Sequence, residues 1–235
     1  MSLLTMIQDA AEGLGLDSPS SVISNTDTSV VTLLRLAQRE GRALQRRYDW
    51  QVLETEQTFT TTATTNQGAL STIVSAGDLD KILNDTLWDR TGNRPVYGSL
   101  SKQRYSTLEA VDTTGPIPEF HLRGGNLLTI PAPATGETWA FLYKSKFWCQ
   151  SSGGTGQTAW AADTDTGILD EGLMALGIEW RYLKSKGFDY SEEFVEYERQ
   201  VAEAMAGDKP RRTVNLAATE PTGPGYIIPD GDWPL

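Results

Sequence analysis

Val30-Val31-Thr32-Leu33-Leu34-Arg35-Leu36-Ala37-Gln38-Arg39-Glu40-Gly41-Arg42-Ala43-Leu44-Gln45-Arg46-Arg47-Tyr48 is the stretch whose periodicity decides the fold. At about 100° per residue, Val30, Leu33, Leu34, Ala37, Gly41, Leu44 and Tyr48 fall within roughly 50° of one line, the mark of an amphipathic helix. Arg35, Arg39, Arg42 and Arg46 gather within roughly 35° of a second line, about 150° away. One face is apolar and the other is an arginine stripe. The polar pair Thr26-Asp27 supplies the cap that starts the helix.

Working outward, the N-terminal side holds a second helix. Ser2 can cap it, and Leu3, Ile7, Ala10, Ala11 and Leu14 recur at helical spacing. Gly13 and Gly15 end it, and Asp17-Ser18-Pro19-Ser20 is turn chemistry. On the C-terminal side the period changes at Trp50. Val52, Glu54, Glu56 and Thr58–Thr62 favour strands, since β-branched and aromatic side chains suit a pleated surface. Leu70–Val74, Phe120–Arg123, Asn126–Ile130 and Thr138–Ser145 are further strand candidates, with a tight hairpin at Gly124-Gly125. Leu79–Asp89 is ambiguous, and Ser101–Ala110 reads as a short helix from a Ser cap.

Helical spacing returns after Asp165-Thr166. Leu169, Leu173, Leu176, Gly177, Trp180 and Leu183 form a line that Gly187 stops, with acids in the first turn and bases in the last. A final helix runs from Ser191 with Phe194, Tyr197, Val201 and Met205 on one side. Tyr190 and Val195 are spaced for a hydrophobic staple around the Ser191 cap. Beyond Gly207 the chain turns rich in proline and glycine and loses any helical period. It still carries Tyr226, Ile227, Ile228, Trp233 and Leu235, which suits an arm that docks on a partner rather than a free linker.

The expected fold is α+β. Residues 1–50 and 167–207 supply a helical bundle, 51–166 a β-rich insertion, and 208–235 an extended C-terminal arm.

Composition narrows the function. The single cysteine, Cys149, allows no intramolecular disulfide and no cysteine-based zinc site. The single histidine, His121, leaves little room for a Ser-His-Asp triad or a histidine zinc site, and its alternating surroundings suggest a surface residue of a strand. A formal net charge of −11 argues against DNA binding over the whole surface, because such binding rests on neutralising phosphates. No run reaches the ~18 apolar residues of a membrane span, and the N-terminus lacks the pattern of a signal peptide.

Asp163, Asp165, Asp170 and Glu171 are the best candidates for carboxylate chemistry, as in a hydrolase or a calcium loop. The position that a calcium loop fills with glutamate holds Met174, so a turn followed by an acidic helix start is the better reading. Gly153-Gly154-Thr155-Gly156-Gln157 lacks the Lys-Ser/Thr of a phosphate loop and reads as a hairpin tip. The arginine stripe could be a plain solvated face. Alternatively it meets carboxylates of a neighbouring copy or the phosphates of DNA.

The order of these features resembles the head-to-tail adaptor (connector) proteins of tailed bacteriophages. The similar parts are the arginine-rich helix leading into Arg47-Tyr48-Asp49-Trp50, then Asn84–Arg90 with Arg94-Pro95. Phe120–Gly125, Trp148-Cys149, and Asp163–Thr166 before a Leu-Asp-Glu helix follow, and last the run from Trp180 to Tyr190. The resemblance covers about residues 1–206. It implies a homo-oligomeric ring, dodecameric in the family, at the neck of the virion. Such a ring sits beneath the portal protein, contacts a tail or nozzle protein and passes packaged DNA through its channel. It implies no catalysis, cofactor, metal or membrane. Arg35, Arg39, Arg42 and Arg46 would then be a subunit or DNA-channel interface. Tyr226, Ile227, Ile228, Trp233 and Leu235 would clasp the portal or a neighbour. The alternatives are another tail-completion or tail-tip component, or a carboxylate-dependent hydrolase.

Overall fold

The computed structural model describes residues 1–74, 77–111, 115 and 117–208. Helix α1 (Leu3–Gly13) opens with a capping box: the Ser2 hydroxyl accepts from the Thr5 N–H, and the Thr5 hydroxyl accepts from the Ser2 N–H at 2.7 Å. Helix α2 (Thr28–Arg47) starts at the Asp27 carboxylate, which accepts from the Ser29 N–H at 2.7 Å. Its apolar line is buried at Val30, Leu33, Ala37, Gly41 and Leu44, as the spacing predicts. It ends at Tyr48, and the Trp50 indole folds back to donate to the Leu44 carbonyl at 2.8 Å.

Two further long helices close the chain's return. Helix α5 (Glu171–Lys186) is capped by Asp170 and stopped by Gly187 at φ 77°, a conformation that glycine adopts without strain. Helix α6 (Ser191–Asp208) follows directly. Helix α5 packs on α1, α2 and α6. That placement explains why it buries more than its predicted line: Met174, Ala175, Ile178 and Tyr182 are buried as well. A helix enclosed by neighbours must be apolar nearly all round. Helices from both ends of the chain thus share one core, with Leu3, Leu33, Ala37, Ile178, Tyr197 and Val201 among its members.

The middle of the chain is antiparallel sheet. Strand β8 (Thr138–Ser145) pairs along its length with β1 (Glu54–Thr60). On its other edge it pairs with β3 (Leu79–Ile82) and β4 (Trp88–Asp89), and β4 carries β5 (Arg94–Pro95). A second sheet has the order β2 (Asn66–Ala69), β7 (Asn126–Ile130), β6 (Glu119–Arg123). Gly124 and Gly125, both at positive φ, turn β6 into β7 as predicted. Leu70, Phe120, Leu127, Trp139 and Phe141 belong to the separate core of this layer. A small third sheet joins β9 (Cys149–Gln150), β10 (Gly156–Gln157) and β11 (Thr166–Gly167). Its flanking residues Trp148 and Trp160 meet edge to face inside the helical core.

Three expectations fail in detail. Leu70–Val74 is not a strand: Leu70–Ile73 forms a single helical turn, α3, directly after β2. Its β-branched content is outweighed by the need to bury Leu70 and Val74 together in the sheet core. His121 is not at the surface. It is buried in β6, with Nδ1 2.7 Å from the Leu100 carbonyl and its ring stacked on Tyr105 of helix α4 (Lys102–Val111). The staple is not made either. Val195 stands 66% exposed, and Tyr190 instead tilts against Trp180.

The two layers are tied where α2 ends. Lys144 of β8, almost fully buried, donates to the Tyr48 carbonyl at 2.7 Å and to Asp49 at 3.2 Å. Lys81 of β3 reaches the same Asp49 carboxylate at 2.7 Å. The two lysines hold the Asp49 carboxyl below its usual range, Lys81 contributing most.

Candidate interaction surface

Helix α2 presents two chemically opposite sides. Toward the core, Glu40 is fully buried. It accepts from the Arg181 guanidinium at 2.5 Å and from the Tyr197 hydroxyl, so α2, α5 and α6 meet at one carboxylate. Burial, reinforced by Glu40, pushes the Tyr197 phenol above its ordinary range. Gly177 makes the space: a side-chain carbon there would overlap the Glu40 carboxylate. Gly41, one residue on, does the same for the Trp148 indole.

Away from the core, Arg35, Arg39, Arg42 and Arg46 are all exposed. Together with Gln38 and Ala43 they line a shallow groove of about 490 Å³. Arg42 and Arg46 also line a neighbouring hollow with Asp80 and Lys146, where the stripe meets the β8–β9 connection and the charge becomes mixed. Among the described residues none of the four has an ion pair or a hydrogen bond from its guanidinium. Every other arginine in the described residues has a partner. Arg47, Arg90, Arg94, Arg104, Arg181 and Arg199 pair with carboxylates, and Arg123 lies over the Tyr105 ring. The stripe is therefore the place where this fold leaves guanidinium groups unused.

The carboxylates singled out in the sequence are engaged with backbone. Asp163 accepts from the Val22 and Ile23 N–H groups at 3.1 and 2.8 Å. Asp165, buried, accepts from Ala161 and Ala162 at 2.7 and 2.8 Å. Asp170 caps α5, and Glu171 accepts from the Gly167 N–H at 2.6 Å. The Asp163 and Asp165 carbonyls also receive the Leu4 and Leu3 N–H groups, which pins α1 beside this loop. These acids fasten turns and caps, as the structural reading of the sequence expected. Burial, with Asp165 nearby, raises the Cys149 thiol to about 12, which removes its nucleophilic form at neutral pH. No group of three or more His, Cys, Asp or Glu side chains among the described residues could hold a metal ion.

A family model described as SU10 adaptor protein matches residues 1–223. The chain belongs to the SU10 adaptor protein family. A search of curated proteins gives no match. Membership confirms the phage adaptor identity expected from the arginine-rich helix and the motifs that follow it, and it makes the chain a structural phage protein. An adaptor of this family works with other virion proteins, which puts its place in the virion. No helix in the described residues is long and apolar enough to cross a membrane.

The family match reaches past the about 206 residues of the sequence resemblance and stops before Pro224. The arm residues Tyr226, Ile227, Ile228, Trp233 and Leu235 lie beyond it and outside the described residues. What sequence reasoning missed is the buried Glu40. A lone acid between Arg39 and Gly41 looks like part of the charged face. The signal was its wheel position: about 60° from Ala37 and 100° from Gly41, on the apolar side.

Proposed function

We propose that this adaptor forms a homo-oligomeric ring beneath the portal protein, joining the capsid to the tail and extending the channel for packaged DNA. In this reading the helices of residues 1–50 and 167–207 form one bundle that mediates lateral contact. The β-rich insertion of residues 51–166 contributes the outer surface toward tail or nozzle proteins. The arm, residues 208–235, clasps the portal or an adjacent subunit through Tyr226, Ile227, Ile228, Trp233 and Leu235. Arg35, Arg39, Arg42 and Arg46 form a subunit or DNA-channel interface.

The observation that carries the reading is the contrast among the arginines. Four aligned, exposed guanidinium groups lack partners among the described residues, where every other arginine has one. Guanidinium is suited to bidentate contact with carboxylates across an interface. A net charge of −11 supplies those carboxylates on every copy and also suits a channel through which DNA slides without sticking.

Mass photometry of the protein alone and mixed with its portal tests the proposal. A ring of fixed copy number on the portal, lost when residues 208–235 are deleted, is the expected result. Failure to associate with the portal would favour a tail-completion or tail-tip role instead.

A further inference from the structure

Among the described residues the helical layer carries a second unpaired charged surface, of opposite sign. Glu179 of α5 is half-buried and lies against Gly13 at the end of α1, where a side-chain carbon would come within 2.9 Å of its Oε1. Asp9 of α1 and Glu193 of α6, both exposed, act on it electrostatically. None of the three has a cationic partner among the described residues. Burial first, then Asp9 and Glu193, raises the Glu179 carboxyl above its ordinary range. Asp9 lies one turn before Gly13 on α1, and Glu193 adjoins Phe194, whose ring meets Trp180 of α5. Three acids from three elements thus gather at an electrostatic cost that no cation among the described residues relieves.

The basic and acidic surfaces face different ways. On α5, Gly177 touches Glu40 of α2, and Glu179 lies two residues on, about 200° around the helix. The acidic surface is therefore on the side of α5 away from α2. On α2, Glu40 points to α5, while Arg35, Arg39, Arg42 and Arg46 lie roughly 100–160° from it. The stripe is therefore on the side of α2 away from α5. One copy carries a positive face at one flank and a negative face at the other.

We propose that the arginine stripe of one copy docks on the Asp9–Glu179–Glu193 surface of the next copy. The proposal rests on the ring reading above and names the surface that meets the stripe. A contact between two different faces is head-to-tail, and head-to-tail contacts close into a ring when the rotation between copies allows it. A two-fold contact through the stripe would set arginines against arginines. Duplex DNA could neutralise the stripe but would leave the three acids unrelieved. A second copy satisfies both surfaces at once.

Charge exchange tests the contact. The full-length protein, R39E/R42E, D9K/E193K and the fourfold combination are each mixed with the portal and counted by mass photometry. The substituted side chains are exposed, and circular dichroism melts establish that each variant folds. Each reversed pair alone should lower the ring fraction by about tenfold or more, the scale of a charge pair turned repulsive. The fourfold variant, with both faces exchanged, should regain rings. If a reversed variant melts early, R39Q/R42Q and D9N/E193N carry the same test with neutral side chains.

Rings formed normally by R39E/R42E would overturn this contact while leaving the ring itself intact. Lost binding of duplex DNA in that variant would then assign the stripe to the channel. Loss in both single-face variants without recovery in the fourfold one would show that the two faces do not meet. Absence of rings from the wild-type protein would overturn the ring reading itself.

Discussion

Gly177 of α5 lies against the Glu40 carboxylate of α2, so closely that any side chain at 177 would occupy the space of the acid. The relationship links the two ends of the chain. A glycine in mid-helix costs about 1 kcal/mol relative to alanine. Here that cost admits a buried carboxylate bound to Arg181 and Tyr197. The helices are thereby fixed at one relative position, and with them the two charged flanks of the layer.

Gly177→Ala and Gly41→Ala should each destabilise the protein despite better helix propensity. Overpacking typically costs about 1–3 kcal/mol, and the Glu40 and Trp148 side chains that would clash are almost fully buried. Gly207→Ala, where an added carbon meets nothing among the described residues, serves as the control and should be neutral or slightly stabilising. Urea titrations of the three variants give the comparison. A G177A protein as stable as G207A would contradict this packing.

Glu40→Ala should be the most damaging single change in the helical layer. Removing one partner from a buried ion pair costs about 3–5 kcal/mol, because the other charge remains. Tyr197→Phe removes only a hydroxyl from the same group and should cost about 1–2 kcal/mol. The two losses should not add, since both act through one carboxylate. A double-mutant cycle that sums to zero coupling would show that the Tyr197–Glu40 bond carries no energy.

The tie between the layers sets an acid sensitivity. The folded Asp49 carboxyl is held below its ordinary value of 3.8, chiefly by Lys81 and also by Lys144. Its contribution is therefore present above the unfolded value and is lost as pH falls through the lowered folded value. Asp49→Asn should remove that contribution; the carboxylate is nearly half exposed and screened by solvent, so the cost at neutral pH should be about 1 kcal/mol, carried by the buried Lys144. The variant should also show a shallower loss of stability below pH 4. Parallel acid-side slopes for wild type and variant would separate Asp49 from the effect.

Much of this was legible in the sequence because the signals are local. The apolar line and arginine stripe of α2, the caps at Ser2 and Asp27, and the glycine pair of the β6–β7 hairpin all act within a few residues. What escaped depends on distant residues. The fate of Glu40 is decided by a glycine, an arginine and a tyrosine far along the chain. The burial of His121 depends on Tyr105 and the Leu100 carbonyl. The Asp9–Glu179–Glu193 surface joins three elements, none of which is unusual alone. A wheel of one helix shows which way a side chain points but not what waits there.

Stability and assembly should separate cleanly at the stripe. Arg39→Ala and Arg42→Ala remove side chains that are exposed and make no ion pair among the described residues, so stability should stay within the range of ordinary surface changes, about ±0.5 kcal/mol, and Tm should barely move. Ring formation on the portal should weaken, and wild-type rings should loosen as salt is raised from 0.05 to about 0.5 M, through screening of exposed charges. A large fall in Tm would instead make the stripe part of the protomer's own stability.

Glu179→Gln should act in opposite directions on the protomer and on the ring. The folded Glu179 carboxyl lies above its ordinary value of 4.5, so the folded state binds that proton more readily than the unfolded one. Stability is then highest below the unfolded value and falls as pH rises through the raised folded value. Glutamine keeps the shape, removes the charge and abolishes that fall. The free variant should melt higher than wild type at pH 7, with the gap closing on acidification toward pH 4. Its rings should be weaker, because the stripe of the next copy loses a carboxylate. Strained charge kept at a cost to the monomer is what a binding surface shows when its partner is absent. A variant that melts higher and also assembles more tightly would mean that the acids at this junction serve no contact between copies.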